Sequence, residues 1–478
     1  MNVVLYVMDA LRADHVSTYG YSRPTTPNID ALAKEGITYT KCFSPATWTK
    51  PVGASLLTGS YPPTHGVRTR EDVFSSGVPR LPKLLAENGY ATAGFSTMGN
   101  VSKSLGYGRG FSTFEDLYKD PEIIAKRRTT TPEEEELEHE ESVQVALPRA
   151  EDLTERVINW LESRADSDPL FLFCWSIEPH IPYDPPPEFH NFTNPSYSGP
   201  VDGTRECLPS VNKAEDLAQL EALYDGEIRY NDSELGRIMD KFKERGVYDE
   251  TLFIICGDHG DAFNEHGQLT HGHLPYDELI HVPLVIKPPA SVENIPRVID
   301  EISCLIDVMP TILAAGGLDD QPQTIQGRAL PPFGKQGTSS PVFSETRSRE
   351  IYPAFYSVRT ERWKYMEVDT PNRTPSMIAE TMRQIYRRGL MRDIIANPLY
   401  FYRRYKQKEE RLLFNLQDDP PEMNNVVQES PEMAEKMSMK LVTWLETCER
   451  ARKTVSNGED GPIDEATSEQ LRRLGYID

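Results

Sequence analysis

The chain contains no apolar run of the about 20 residues needed to cross a bilayer. Positive charge is in short supply: 51 Lys and Arg stand against 74 Asp and Glu, for a net charge of −23 over 478 residues. Such a surface is repelled by phosphate backbones, which excludes a nucleic-acid-binding role. Cysteine is sparse, and Cys42, Cys174, Cys207, Cys256, Cys304 and Cys448 are scattered, Cys174 and Cys256 within apolar runs. That spacing makes neither a disulfide framework nor a zinc site and predicts buried free thiols in a reducing compartment. No basic leader or cleavage site precedes the first strand-like run, so a cytoplasmic location is expected, with attachment to the inner face of the membrane as the alternative. Internal repeats are also lacking. Arg outnumbers Lys 33 to 18 and acidic residues occur throughout, a composition resembling that of salt-loving archaea, where high salt screens the self-repulsion.

What is present is alternation. "NVVLYV" (2–7) is a β-branched run ending at Asp9, "NIDALAKEG" has helical spacing with Gly36 as a stop, and "GITYTKCFS" returns to a strand. The same helix–Gly–strand order recurs in "RLPKLLAENGYATAGFST", in "DLTERVINWLESR" with "PLFLFCWSI", and in "LGRIMDKFKERGVYDETLFIICGDHGD". This pattern predicts an α/β fold, a parallel sheet covered by helices on both faces, with chemistry at the carboxyl ends of the strands. The acidic "KRRTTTPEEEELEHEESVQ" predicts a solvated insertion at about 120–150, and the Gly-, Pro- and Gln-rich stretch at 315–345 reads as a linker. The expected division is a catalytic domain at 1–325 and a smaller domain at 340–478, whose strands are "PVFSET", "FYSVRTERWKYMEV" and "RLLFNL" and whose helix is "PEMAEKMSMKLVTWLETCERARK".

Three strand ends carry chemistry. Asp9 follows "VVLYVM"; Asp258 and His259 follow "TLFIIC" through Gly257, with Asp261 just beyond; His180 follows "FLFCWSIEP". Carboxylates and an imidazole without thiolates suit a divalent ion such as Mg²⁺, Mn²⁺, Ca²⁺ or Zn²⁺. Thr49, in "SPATWTKPVGASLLTGSYPPTHGV" (44–67), precedes a short apolar helix with Pro51 in its first turn. It reads either as an ordinary helix cap or as a hydroxyl that such an ion would activate as a nucleophile.

"NVVLYVMDALRADHVSTYGYSRPTTPNIDALAKEG", "ASLLTGSYPPTHGV", "FLFCWSIEPHIPY", "YDGEIRYNDSELGRIM", "IICGDHGDAFNEHG", "YDELIHVPLVI" and "QLRRLGYID" together resemble the sulfatase family of the alkaline phosphatase superfamily, in order and spacing, over almost the whole chain. The resemblance implies a large, mixed, mostly parallel sheet sandwiched by helices, with a small C-terminal antiparallel sheet plus helix. It implies Asp9, Asp258 and His259 as metal ligands with Thr49 beside them in the nucleophile slot, and His180 on the substrate ester or leaving group. One of His271 and His273 would reach the transferred group. Lys50 and Asn100 are candidates for substrate contact, against a solvated Lys50 and a turn-forming Asn100. Asp14 lies near the site by sequence and reads as solvated.

Two departures redirect the chemistry. Family members that cleave sulfate esters use a formylglycine made within a Cys-x-Pro-x-Arg sequence, whereas the matching run here is Thr49-Lys50-Pro51-Val52-Gly53. Oxidation of a threonine would leave a ketone and not an aldehyde. The family's paired Asp is also broken, since Ala10 follows Asp9. The expected activity is metal-dependent cleavage or transfer of a phosphate mono- or diester through a Thr49 covalent intermediate. A sulfatase working without formylglycine and an inactive glycan- or polyanion-binding member are the alternatives. The expected partner is an anionic ester: a lipid headgroup, a glycan or a polymer. The basic, aromatic stretch 382–411, within a helical insertion at about 376–411, reads either as a peripheral membrane contact or as pairing with acidic surface.

Overall fold

Asn2–Met8 runs through the middle of an eight-stranded sheet, and every residue from Val3 to Met8 is buried because both faces are covered. Val3, Leu5 and Val7 pack with Leu56, Leu57, Leu81 and Met309 on one side. Val4, Tyr6 and Met8 pack with Ile29, Leu153, Val157 and Ile228 on the other. The computed structural model describes residues 1–127, 147–164, 168–318, 321–337, 340–347, 354–369, 411–455 and 463–474. Most of the predicted acidic insertion, and the predicted basic stretch 376–411 except Arg411, lie outside the described residues.

The sheet order is Val298–Ile299, Ile37–Tyr39, Leu284–Lys287, Thr251–Gly257, Asn2–Met8, Leu170–Ser176, Ala91–Ser96, Thr113–Asp116. Only Leu284–Lys287 runs antiparallel to its neighbours, which makes the sheet mixed and mostly parallel, as expected. The register places the chemistry. Met8 pairs with Ser176 on one side and with Gly257 on the other. Asp9 and the Asp258–His259 pair therefore leave the sheet side by side at one level.

The small sheet is antiparallel in chain order: Val342–Thr346, Ala354–Arg359, Trp363–Asp369 and Arg411–Asn415. The helix Pro431–Arg452 turns Ala434, Met437, Leu441, Trp444 and Cys448 onto one cluster with it, the spacing of a single helical face. Arg68, beyond the helix Pro62–His65, ties to Glu345 of the small sheet through a 2.8 Å ion pair, and Ser344 Oγ donates to the Ser44 carbonyl at 2.6 Å.

The stretch read as a linker is a bound strap where it is described. The N–H groups of Gln326 and Gly327 donate to the Gly59 carbonyl at 2.8 and 3.0 Å, Ser60 Oγ donates to the Thr324 carbonyl at 2.6 Å, and Leu330 joins the large core. Its Gly and Pro content reflects tight packing across the end of the Thr49–Thr58 helix. The last described helix, Glu465–Arg473, returns to the large sheet: Leu471 enters its core, and Gln470 Nε2 donates to the Thr97 carbonyl at 2.9 Å. All six cysteines are buried and unpaired. Among the described residues no helix is long and apolar enough to cross a membrane.

Candidate active site

Asp9 is the first residue past its strand, and the chain turns at once. Ala10 takes a left-handed backbone, φ 62°, a conformation costing about 1–2 kcal/mol for a residue with a Cβ. The turn is held by the Ala10 N–H donating to Asp258 Oδ1 at 2.8 Å and by Tyr224 OH donating to the Ala10 carbonyl at 2.6 Å. This locks the two carboxylates to each other. Asp258 Oδ1 also accepts the His259 N–H at 2.7 Å, while Asp258 Oδ2 is buried and accepts no hydrogen bond among the described residues. His259 Nδ1 lies 3.0 Å from the Gly260 carbonyl. Because a carbonyl only accepts, the proton of a neutral His259 sits on Nδ1 and Nε2 offers its lone pair.

Asp9, Asp258 and His259 each place one ligand atom so that all lie within 4.8 Å of one another, and all three side chains are buried. Burial pushes the Asp9 carboxyl well above the usual carboxylate range, reinforced by Asp258 nearby; burial does the same to Asp258. Two buried carboxylates, one orphaned oxygen and an imidazole lone pair form a donor set that a divalent cation fits. This is a possible Asp–Asp–His metal site.

Thr49 meets this cluster from above. The cap of the helix Thr49–Thr58 is Trp48, in extended conformation, and Thr49 is the first helical residue. Its hydroxyl lies 3.3 and 3.4 Å from the two Asp9 oxygens and 3.3 Å from His259 Nε2. The reading of Thr49 as an ordinary cap is thereby replaced: its hydroxyl is turned to the carboxylates.

A second row of side chains borders the first. The His271 ring is tilted against those of His259 and His180, with centroids 4.5 and 4.9 Å away, and its Nδ1 is 2.6 Å from Asp261 Oδ1. Tyr183 OH donates to the other Asp261 oxygen at 2.6 Å. Asp261 thus orients His271 so that its Nε2 is the nitrogen left for other partners. His273 is placed differently, with Nε2 3.0 Å from the Leu269 carbonyl. The left-handed turn at Thr270, φ 66°, immediately precedes His271. His180 Nδ1 is 2.6 Å from the Ile181 carbonyl, which holds the ring. Burial, then His271 and other nearby charges, hold the His180 imidazole well below its ordinary pKa.

The remaining candidates divide. Lys50 is wholly buried and its Nζ donates to the Arg70 carbonyl at 2.7 Å; burial lowers its pKa to about 8. One helical step from Thr49 has turned it into the protein, which corrects the expectation of a substrate contact. Asp14, read as solvated, is exposed, and Arg12 pairs with it at 2.7 Å. Asn100 is 2% exposed with no partner for Nδ2 among the described residues. It lies in a turn on the loop beyond strand Ala91–Ser96, in line with the turn-forming reading, and its Nδ2 donor is unmatched among the described residues.

Sequence reasoning missed Trp175, Tyr183 and the clamping role of Asp261. Trp175 Nε1 donates to Asp9 Oδ2 at 2.9 Å, both groups fully buried. Trp175→Phe should keep the fold and weaken divalent-metal binding about 10- to 100-fold, as loss of a partner behind a ligand does; titration calorimetry measures it, and unchanged affinity would refute the role. The Trp175 ring also fills the space beside Gly53, where an added Cβ would meet Tyr107 at 3.1 Å, Val101 at 3.2 Å and Trp175 at 3.4 Å. The arginine that the family's sulfate-cleaving members carry at this position would have to push these side chains aside from its Cβ outward. Gly53→Arg should destabilise the fold by at least about 3 kcal/mol through overpacking and charge burial, seen as a lowered denaturation midpoint. A variant as stable as the parent would show that the helix can shift to accommodate it.

Comparison with known proteins agrees with this geometry. The family pattern described as "Sulfatase" matches residues 1–318. The chain is 28% identical over 413 residues to a multifunctional alkaline phosphatase superfamily protein of Trinickia caryophylli, covering 71% of this chain and 78% of that one. It is 24% identical over 373 residues to an arylsulfatase of Clostridium perfringens, covering 69% and 77%. Against the crystal structure of a phosphonate monoester hydrolase of Agrobacterium radiobacter, the TM-score is 0.68 at 20% identity, over 94% of this chain and 96% of the other. With two-thirds of its length under that pattern and the same alkaline phosphatase-like sheet beneath its strand-end carboxylates, the chain belongs to the sulfatase family of the alkaline phosphatase superfamily.

Proposed function

We propose that this protein is a metal-dependent hydrolase or transferase of phosphate esters that works through a covalent intermediate on Thr49. The observation that carries the reading is the Thr49 hydroxyl, which lies at the start of its helix 3.3 Å from both Asp9 Oδ2 and His259 Nε2. In the reaction, Thr49 Oγ1 attacks the ester phosphorus, the bond from phosphorus to the departing alkoxide breaks, and Asp9 Oδ2 is within reach of the hydroxyl proton. Water or an acceptor alcohol then attacks the phosphorus and regenerates Thr49. A divalent ion held by Asp9, Asp258 and His259 would supply positive charge, lowering the hydroxyl pKa and neutralising the ester oxygens. His180 and His271, the latter held by Asp261, supply the remaining polar contacts, and Asn100 Nδ2 adds a donor.

The named activities of two relatives favour different esters. The 28% identical relative is described as a multifunctional alkaline phosphatase superfamily protein, which accords with phosphoester chemistry; the 24% identical arylsulfatase supports sulfate-ester cleavage without formylglycine as the second reading. The test is turnover of p-nitrophenyl phosphate, bis-p-nitrophenyl phosphate and p-nitrophenyl sulfate in high salt with Mn²⁺, Mg²⁺, Ca²⁺ or Zn²⁺, with trapping of a phospho-Thr49 peptide. Metal-dependent phosphoester cleavage with the trapped peptide is expected. Sulfate cleavage at equal or higher rate would replace this reading with the second.

A further inference from the structure

The first strand of the small sheet, Val342–Thr346, is laid along the segment that leads into Thr49. Ser344 Oγ donates to the Ser44 carbonyl at 2.6 Å, the Glu345 N–H donates to the Pro45 carbonyl at 3.0 Å, and Ala46 and Glu345 form a parallel bridge. Side chains alternate along a strand, so Ser344 and Thr346 share a face. Both are buried. A buried hydroxyl is costly unless it finds a hydrogen-bond partner. Ser344 finds one in the backbone of residue 44, whereas Thr346 finds its partners at the turn that carries His271. Its Oγ1 donates to the His273 carbonyl at 2.7 Å and lies 2.7 Å from Thr47 Oγ1. With the Thr346 proton on the carbonyl, the proton between the two hydroxyls is that of Thr47.

That turn is short and constrained. Thr270, φ 66°, and Gly272, φ 80°, are both left-handed, one on each side of His271. A β-branched residue keeps such a conformation only where its surroundings fix it. Asp261 fixes the His271 imidazole through Nδ1, but the backbone that carries the ring is held from outside the turn. The Gly272 N–H donates to the Thr47 carbonyl at 3.1 Å, and the His273 carbonyl accepts from Thr346. Thr47 stands two residues before Thr49. The linkage of Thr346, Thr47 and the His273 carbonyl therefore ties the segment of the candidate nucleophile to the turn of His271, and its central hydroxyl comes from the small sheet.

We infer that Thr346 is a positioning residue for the reaction: its hydroxyl holds the His273 carbonyl and so keeps His271 beside His259 and His180. The inference rests on the proposed reading of the site as ester-cleaving, in which His271 is one of the polar contacts. Thr346 acts through His271 and not on the substrate. The strand-end acids Asp9 and Asp258 are set by the register of the large sheet, while the placing of His271 depends on contact with the small one.

The experiment uses the full chain with Mg²⁺ or Zn²⁺ and p-nitrophenyl phosphate or p-nitrophenyl sulfate, whichever the parent cleaves. Valine keeps the shape of threonine and removes the donor. Thr346→Val is combined with Thr47→Val, because the Thr47 hydroxyl lies 3.3 Å from the same carbonyl and would replace the lost contact. The double valine variant should lower kcat at least about tenfold, since misplacement by about 1 Å can cost about 100-fold, and should leave metal affinity unchanged. Thr346→Ser keeps the donor and should stay close to the parent. In a His271→Ala background the double valine variant should cost almost nothing further, because residues that act as a unit do not add. Equal losses in both backgrounds, or no loss in the parent, overturn the inference. The ring itself gives a readout without turnover: in protein labelled with ¹³C-histidine, the His271 Cε1 signal, assigned by its loss in His271→Ala, should shift in the double valine variant and not in Thr346→Ser. A parent that cleaves neither ester overturns the ester-cleaving reading. A shifted signal would then still establish that Thr346 positions His271, and an unshifted one would overturn that too.

Discussion

Thr49→Ala should lower kcat by at least about 10³-fold, as loss of a nucleophile does, while the protein stays folded. The lost hydrogen bonds are long, 3.3–3.4 Å, and hydroxyl deletion of this kind costs about 1 kcal/mol of stability. Thr49→Ser keeps the attacking oxygen and should retain activity within about tenfold of the parent, since it removes a methyl group and not the chemistry. Activity of Thr49→Ala within a few fold of the parent would mean that water, and not the side chain, is the attacking group. The pair of variants also separates nucleophile from bystander: a hydroxyl needed only to fill space would be replaced better by a methyl-bearing residue, so Thr49→Val would then outperform Thr49→Ser.

Asp258→Asn should act in opposite directions on metal binding and on the metal-free fold. Burial raises the carboxyls of Asp258 and Asp9, and for Asp9 the neighbouring Asp258 raises it further. A carboxyl with a higher pKa folded than unfolded takes up a proton on folding. Its contribution therefore favours the metal-free fold in acid, below the ordinary carboxylate range, and that stability is lost as pH rises through the raised value. At neutral pH the metal-free parent carries this burden. Asp258→Asn relieves it, because an amide oxygen can still accept from the N–H groups of Ala10 and His259 and the second charge is gone. The metal-free variant should melt higher than the metal-free parent at neutral pH, with the gain shrinking as pH falls. Its affinity for divalent metal should drop at least about 100-fold, exceeding the effect typical of outer-shell partners. Melting curves with and without chelator across pH measure both. A variant that binds metal as tightly as the parent, or gains nothing when stripped, would dismiss Asp258 as a ligand under electrostatic strain.

The residues that close the site are legible in the sequence to the degree that they sit at ends of strongly patterned elements. The all-apolar run to Met8 announces a doubly covered strand, and Asp9 after it can only be at the strand's carboxyl end; Gly257-Asp258-His259 is read the same way. Trp175 could not be found so, because it lies within an apolar strand where a tryptophan is unexceptional, and its function depends on a hydrogen bond to a residue 166 positions away. Lys50 shows the converse: proximity to Thr49 in sequence suggested proximity to substrate, but successive helical residues point about 100° apart, and its ammonium ends on a carbonyl. His271 and His273 share one motif, and what separates them is backbone conformation on a turn, which side-chain patterning does not encode. The Gly- and Pro-rich stretch was misread as a linker because the same residues that make a loop flexible also let a backbone lie flat against a helix end.

The backing of Thr97 and Gly99 by Gln470 has a consequence for how the fold comes into being. Gln470 Nε2 grips the Thr97 carbonyl across 373 residues of chain, and a Cβ on Gly99 would come within 2.3 Å of Gln470 Oε1. During synthesis the strand-end carboxylates and Thr49 leave the ribosome early, yet the contact behind Gly99 is built only after all the intervening residues have emerged. That loop is therefore backed late, and a nascent chain carries Asp9, Asp258 and His259 long before the contact behind Gly99 exists. Cleavage between the helices Pro431–Arg452 and Glu465–Arg473 would free the Gln470 contact and the Leu471 packing while leaving the small sheet covered by its own helix.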